Sequence, residues 1–558
     1  MKSKTVKTKR NLNIGFLFAF STRDSMIGEG IFHLISYIIR NTLAIGEVNI
    51  SICCFSWMKD IFSSGLEQLG IGAESVNYTL SDKKTPYIYK QYLKSLEKKK
   101  TQKITVKEKI RLFLRHLQTN VGEFVIAYIV NVRGIFQLLP FVLLVFAIPL
   151  SVICFVLFFF VFSIVRFGTW IINRKIVQAM LGIVKMPFQK VIALKNVFFD
   201  RLLDAETRRL VRACNQSSLD ILYVTSPLTP LIKSIKALKI VAVHDAVYLD
   251  FPSMFVDASG ERFVKKMHND YIETLKYADA AISYSDYVIQ NHAIPYLGKR
   301  EALTRVIPHA NIDLAKYLEN GIVQTGMDMR EFALETLQDY VQNVMHESTD
   351  IHREYIRHYD WRNADFLFVS SQIRPHKNIM NLLRAFKVML REHYRNIKII
   401  TTGNLYINEI TKSYLEEHCL QFDVLCLGRV PSDVHATLYK LATLSVAPTL
   451  FEGGFTGCFS EALSVGVPAV ISDIPVTQEY FDDSDLDREI YEKAVFDPYN
   501  VNDIVAKIEW ALDHRSELLE LEMKKYNKMA SRTWEIVAGD YLDFFKEIYS
   551  QKSNVKRG

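Results

Sequence analysis

Glu452, Gly453, Gly454, Gly457 and Glu461 crowd together in the run PTLFEGGFTGCFSEALSVGVP, from Pro448 to Pro468. A glycine-rich turn that opens a helix leaves bare backbone N–H groups at the positive helix end, and the two together form an anion site. Two carboxylates, Glu452 and Glu461, bracket that site, so a ligand bearing both a phosphate and hydroxyl groups suits it. Upstream, Lys377 stands in RPHKN with Arg374 three residues before it. His244 closes the apolar run VAVHD and should point out of a strand end. A lone histidine is more often structural, and a first-turn glutamate serves equally well as a partner of the helix dipole.

Positioning these residues takes alternating strands and helices. Leu444 to Ala447 reads as a strand, the glycine turn follows, a helix runs from near Gly457 to Gly466, and Ala469 to Ile471 is the next strand. The same alternation begins at Leu12 to Phe20, continues through the helical face Ile31, Leu34, Ile35, Ile38 and Ile39 to the strand Asn49 to Phe55, and returns at Asp220 to Val224, Ile240 to Val243 and Ala280 to Ser283. A second series holds Phe366 to Val369, Ile397 to Ile400 and Val424 to Leu427, with a helix over Ile379 to Leu390 and an amphipathic helix over Trp534 to Ser550. Alternation of this kind predicts an α/β fold with doubly wound parallel sheets.

The chain has 558 residues, enough for two or three domains. Its net charge of +7 is concentrated in Met1 to Arg10 and Lys94 to Arg115, clusters that suit acidic lipid headgroups or phosphorylated ligands. No reader motif and no interleaved basic–aromatic surface points to nucleic acid. Seven cysteines without a CxxC pair fit neither a zinc site nor a disulfide framework, which indicates a reducing compartment. Neither the DDSDLD string around Asp483, Ser484 and Asp485, read as a solvated loop, nor the HESTD string at His346 supplies a metal site, so no metal is expected.

Residues 135–165 carry no charge over 31 positions. As one helix they would reach ~46 Å against a hydrocarbon core of ~30 Å. Strands expected in one sheet lie on both sides of this segment in the sequence, so a single crossing would separate them. A re-entrant or two-span membrane hairpin is therefore expected, flanked by basic residues, with a buried core hairpin as the alternative.

With these elements in place the C-terminal half resembles the retaining nucleotide-sugar glycosyltransferases of family 4, which have the GT-B fold. FLFVSSQIRPHKNIMNLLRAF, LCLGRVPSDVHATLYKLATLSVAPTLFEGGF, SEALSVGVPAVISDIPVTQEY and VFDPYNVNDIVAKI follow the family's signature elements in order. VAVHDAVYLDFP, AAISYSDYVI and RVIPHANID resemble its N-terminal half more faintly. The resemblance implies two Rossmann-like domains facing a cleft. It divides the chain into an acceptor-side domain over 11–320 (with an insertion over 82–186), a helical linker or insertion over 321–360, a nucleotide-sugar domain over 361–533, and a last helix over 534–558 returning to the first domain.

The resemblance also implies roles. Glu461 would accept hydrogen bonds from the ribose, Lys377 and Arg374 would meet the diphosphate, and His244 would lie near the donor sugar. Gly453, Gly454, Phe455, Thr456 and Gly457 would line the phosphate and sugar, and Gly28 and Gly30 would form the first loop. Two departures stand out. Eight residues separate Glu452 from Glu461, one more than the family's usual spacing, so either Glu452 or the backbone at Gly453 faces the sugar. The family's usual arginine position holds Gln372, with Arg374 two residues later. The expected activity is transfer of a sugar, mannose as first guess, from a nucleotide diphosphate to a lipid-linked or growing glycan acceptor at the cytoplasmic face of a membrane. A transfer-inactive scaffold of a glycan-assembly complex and a sugar-nucleotide epimerase are the alternatives.

Overall fold

The structure, a computed structural model, describes residues 11–19, 30–68, 70–87, 89–90, 200–298, 303–344, 350–482 and 484–555. The expected membrane hairpin over 135–165, both basic clusters, Gly28 and His346 lie outside the described residues. Among the described residues no helix is long and apolar enough to cross a membrane.

Two sheets carry the fold. The first contains β1 (Leu12–Phe18), β2 (Val48–Cys54), β3 (Asn77–Leu80), β4 (Ile221–Val224), β5 (Leu238–Ala242), β6 (Ala280–Ser283) and β7 (Leu303–Val306), in the order β3-β2-β1-β4-β5-β6-β7. The second contains β8 (Phe366–Val369), β9 (Lys398–Thr401), β10 (Val424–Cys426), β11 (Leu444–Ala447), β12 (Ala469–Ser472) and β13 (Val495–Phe496), in the order β10-β9-β8-β11-β12-β13. Every described pairing is parallel, from Leu12 opposite Val48 in the first sheet to Val446 opposite Val470 in the second. The α/β reading with two parallel sheets therefore holds. β8 and β11 are each buried at all four positions, as expected for parallel strands covered on both faces.

The chain divides into two compact units. The first comprises Met1–Ser36, Glu47–Leu222 and Ser234–Ala237. Its strands β1 and β2 bury Ile14, Phe16, Phe18, Ile50 and Ile52, and Phe62 packs on Phe18 with ring centroids 4.4 Å apart. Full burial of each such side chain contributes roughly 1.5–3 kcal/mol. The second comprises Tyr37–Gly46, Tyr223–Lys233 and Leu238–Gly558, and it holds the candidate site residues other than those of the first loop.

Within the second unit the stretch read as a linker folds into the helices Ala315–Thr325, Met329–Asp339 and Asp350–His358. Leu318, Ala333, Leu337, Val341, Ile356 and Trp361 share one apolar core with Phe366, Phe368, Leu438 and Tyr439. Charge on the outer faces of these helices hides that core face in a linear reading. The helix Trp534–Val555 ends the described chain and packs Tyr541 and Phe545 against Tyr223 of β4, each with ring centroids 5.8 Å away.

Candidate active site

In the second sheet the strand order reverses between β8 and β11. Loops leaving two such strands diverge and open a crevice at their carboxyl ends. Lys377 comes from the first of these loops and Glu452 from the second.

After β8 the chain makes a short 3-10 turn, Pro375–Lys377, with proline at its start. Asn378 ends that turn in the left-handed region, φ 54°, a conformation asparagine tolerates better than most residues. Its buried side-chain amide donates to the carbonyl oxygen of Pro498 at 2.7 Å, which fixes the start of the helix Ile379–Arg391. Lys377 is thereby held in place, and its ammonium reaches the Glu452 carboxylate at 2.5 Å. The two side chains are 21% and 26% exposed, mostly shielded and still open to a ligand. Leu450 N–H donates to the His376 carbonyl oxygen at 2.7 Å, so the loop after β11 is tied by its backbone to the turn that carries Lys377.

The glycines meet protein as well as open space. A Cβ at Gly453 would collide with the His244 carbonyl oxygen, and one at Gly454 would come within 2.8 Å of Tyr284 Cβ. Ser285 Oγ donates to the Gly453 carbonyl at 3.0 Å. Close approach of backbone to the ends of β5 and β6 thus requires these glycines, a reason the sequence did not reveal. The helix Gly457–Ser464 starts and stops where expected, with Gly466 at φ +75° after it. Its N-cap residue, buried Thr456, gives no side-chain cap, and Phe455 stacks on Tyr480 with centroids 4.3 Å apart.

Glu461 lies one turn into that helix. Its Oε2 accepts from the hydroxyl of Tyr439, a fully buried residue of the neighbouring helix Ser432–Leu441, at 2.8 Å. Cys458, one turn earlier on the same helix and partly exposed, lies near these charges. Burial pushes its pKa up to about 11; Glu461 and Glu452 add to the rise, while Lys377 opposes it. Arg374 donates to Gln372 Oε1 at 2.8 Å, so the displaced arginine leans on the residue at the family's usual position. Asp245, the residue after His244, is exposed. The protein packed around its carboxyl still strips hydration and raises its pKa; Arg374 pulls it down, Glu452 pushes it up, and Lys377 and His292 pull it down.

His244 follows β5 as expected, and both ring nitrogens are engaged. Nε2 lies 3.0 Å from the Thr225 carbonyl oxygen, which can only accept, so Nε2 carries the proton and Nδ1 accepts from the Tyr284 hydroxyl. Burial lowers its pKa to about 4, keeping the ring neutral near pH 7. His309, whose ring lies 3.7 Å from that of Tyr284, is lowered to about 3 by burial and then by His244 and Arg532. His376 is also lowered to about 3, by burial and then by Lys377 and Arg374.

Lys377, Arg374, Glu452, Gly453, Gly454, Phe455, Thr456, Gly457, Glu461 and His244 all belong to the second unit, whereas Gly30 opens the helix Gly30–Ile45 in the first. Asp483 lies outside the described residues. Asp485, read as part of a loop, instead begins the helix Asp485–Ala494, because Ser484 caps it by accepting from Asp487 N–H. The sequence reading missed Tyr284 and Ser285, although both directly follow β6 and obey the strand-end rule that singled out His244. Tyr439 gave no local signal, since its partner is 22 residues away.

Residues 353–532 match the family model of glycosyl transferases group 1. The chain is similar to the serotype-specific mannosyltransferase WbdA of Escherichia coli, 26% identical over 200 residues, covering 35% of this chain and 23% of that protein. It is also similar to O-antigen chain mannosyltransferase B of Escherichia coli, 30% identical over 137 residues, covering 24% of this chain and 34% of that protein. It thus spans about a quarter to a third of the length of these relatives. Among solved structures it is similar to Anabaena Alr3699/HepE in complex with UDP and glucose, with a TM-score of 0.51 at 11% identity over 96% of this chain and 100% of that one. That likeness speaks to the fold alone.

Proposed function

We propose that this chain is a retaining glycosyltransferase that moves a sugar from a nucleotide diphosphate to a lipid-linked or growing glycan acceptor. The observation that carries the reading is the Lys377–Glu452 pair at the strand-order reversal, with the uncapped start of the helix Gly457–Ser464 and Glu461 in the same cluster. Lys377, assisted by Arg374 and the helix-start amides, neutralises the departing diphosphate without a metal. Glu461, oriented by Tyr439, accepts from the ribose hydroxyls, and Glu452 faces the donor sugar. The bond between the anomeric carbon and the phosphate oxygen breaks as the acceptor oxygen bonds to that carbon on the same face. The acceptor proton passes to the departing phosphate.

Mannose is the first donor to try, in line with the two similar mannosyltransferases. Residues 135–165 and the basic flanks would hold the chain at the cytoplasmic face of a membrane near its acceptor.

A thermal-shift screen of nucleotide sugars, followed by transfer assays on the full chain in detergent, tests the reading. Turnover that survives EDTA and is lost in both Lys377→Ala and Glu461→Ala is expected. Donor binding with no turnover for any acceptor would instead make the protein a scaffold, and donor conversion without acceptor an epimerase.

A further inference from the structure

The residues Ile289–Ala293 form a π-helical turn after β6, a rare conformation that often marks functional sites. It presents His292, which is 1% exposed. His292 Nε2 lies 3.1 Å from Asp250 Oδ1, and the same carboxylate oxygen accepts from the Tyr287 hydroxyl at 3.2 Å. Tyr271 donates from its hydroxyl to the His292 carbonyl oxygen. The ring is thus held at an edge and through its own backbone. Its face stacks on Phe451, centroids 5.6 Å apart and planes 23° from parallel.

Phe451 is itself buried and immediately precedes Glu452. On the other side of Glu452, Gly453 is pinned by the His244 carbonyl and by Ser285. Glu452 is therefore flanked by two anchors, and its reach to Lys377 depends on both. From this geometry we infer that His292, clamped by Asp250, is a positioning residue that sets the place of Glu452 through its stack on Phe451. The inference rests on the reading of Glu452 given under Proposed function.

A positioning role predicts a selective defect. With the stack gone, the loop after β11 loosens and Glu452 loses its register against the donor sugar, while Lys377 and Glu461 still grip the nucleotide diphosphate. His292→Ala should lower kcat/KM for the sugar donor about ten- to hundredfold, with inhibition by the free nucleotide diphosphate unchanged. His292→Phe keeps an aromatic face on Phe451 and should recover most of that loss. Amide hydrogen exchange over residues 450–458 of the full chain gives a readout that needs no turnover: exchange should quicken in His292→Ala and return toward the parent rate in His292→Phe. Unchanged exchange in His292→Ala overturns the clamp. So does a loss of nucleotide diphosphate binding as large as the loss of donor use, which would show a general structural defect. If no nucleotide sugar is turned over by the parent chain, the functional reading fails while the exchange data still judge the clamp.

Discussion

The residues after β8 and β11 differ in kind from those after β5 and β6. The former supply charge: Lys377 pairs with Glu452, Arg374 stands nearby, and Glu461 is held by Tyr439. Beside the Asp245 carboxyl, the latter supply mostly neutral groups: His244 with a proton fixed on Nε2 and the Tyr284 and Ser285 hydroxyls, joined by His309 after β7, kept uncharged by burial. Charge suits a diphosphate, and neutral hydrogen-bonding groups suit hydroxyls. The two groups meet at Gly453, where the loop after β11 presses on the last backbone carbonyl of the run from β5. The difference teaches that a site of this kind can be read separately as an anion-binding half and a hydroxyl-facing half.

The sharpest way to break this contrast is to remove charge from the first group. Lys377→Ala should lower kcat/KM for a nucleotide sugar by roughly two to three orders of magnitude and leave the thermal midpoint within a few degrees of the parent. A loss below tenfold would take the anion-binding role from that side. Breaking the junction comes next. Gly453→Ala forces a Cβ into the His244 carbonyl, so it should cost about 1–3 kcal/mol in stability, seen in urea melts, and should depress turnover as well.

The neutrality of the buried histidines, His244 and His309 and also His376 in the turn after β8, is testable by pH. His244, His309 and His376 hold folded pKa values of about 4, 3 and 3, below the unfolded histidine value of ~6.5. Between those values the unfolded chain binds more protons than the folded one, so stability is full above about pH 6.5 and falls as pH drops toward 4. The urea midpoint should decrease from pH 7 to pH 5, and less so in His309→Gln. An equal decrease in both proteins would mean that His309 is not held neutral. The smallest expected effect belongs to Tyr439→Phe. Losing one hydrogen bond to Glu461, about 1 kcal/mol, should weaken nucleotide diphosphate binding about fivefold by calorimetry, with little change in kcat.

Much of the charged group was legible because it is local. Strand, glycine turn, helix and proline stop follow one another between Leu444 and Pro468, and β11, the helix Gly457–Ser464 and β12 stand where that punctuation predicts. The strand end at Val369 likewise led to Lys377. The neutral group was harder to read. Tyr284 meets His244 across 40 residues and Ser285 meets Gly453 across 168, distances over which no periodicity speaks. The helices between Ala315 and His358 were read as a linker because charged outer faces dominate their composition, while Leu337 and Trp361 are buried against β8 residues such as Phe366. The short strands β3 and β7 escaped because neither has a continuous apolar run: Asn77 and Arg305 are exposed.

The helix Trp534–Val555 carries a consequence for how the molecule is made. It pairs Glu547 with Arg305 of β7 at 2.6 Å, brings Lys552 to Asp279 just before β6, and covers Tyr223 of β4. Those partners are translated some 240 to 320 positions earlier. Until that helix clears the ribosome, an aromatic flank of the nascent sheet stays wet, so a chaperone should have its longest engagement there during synthesis.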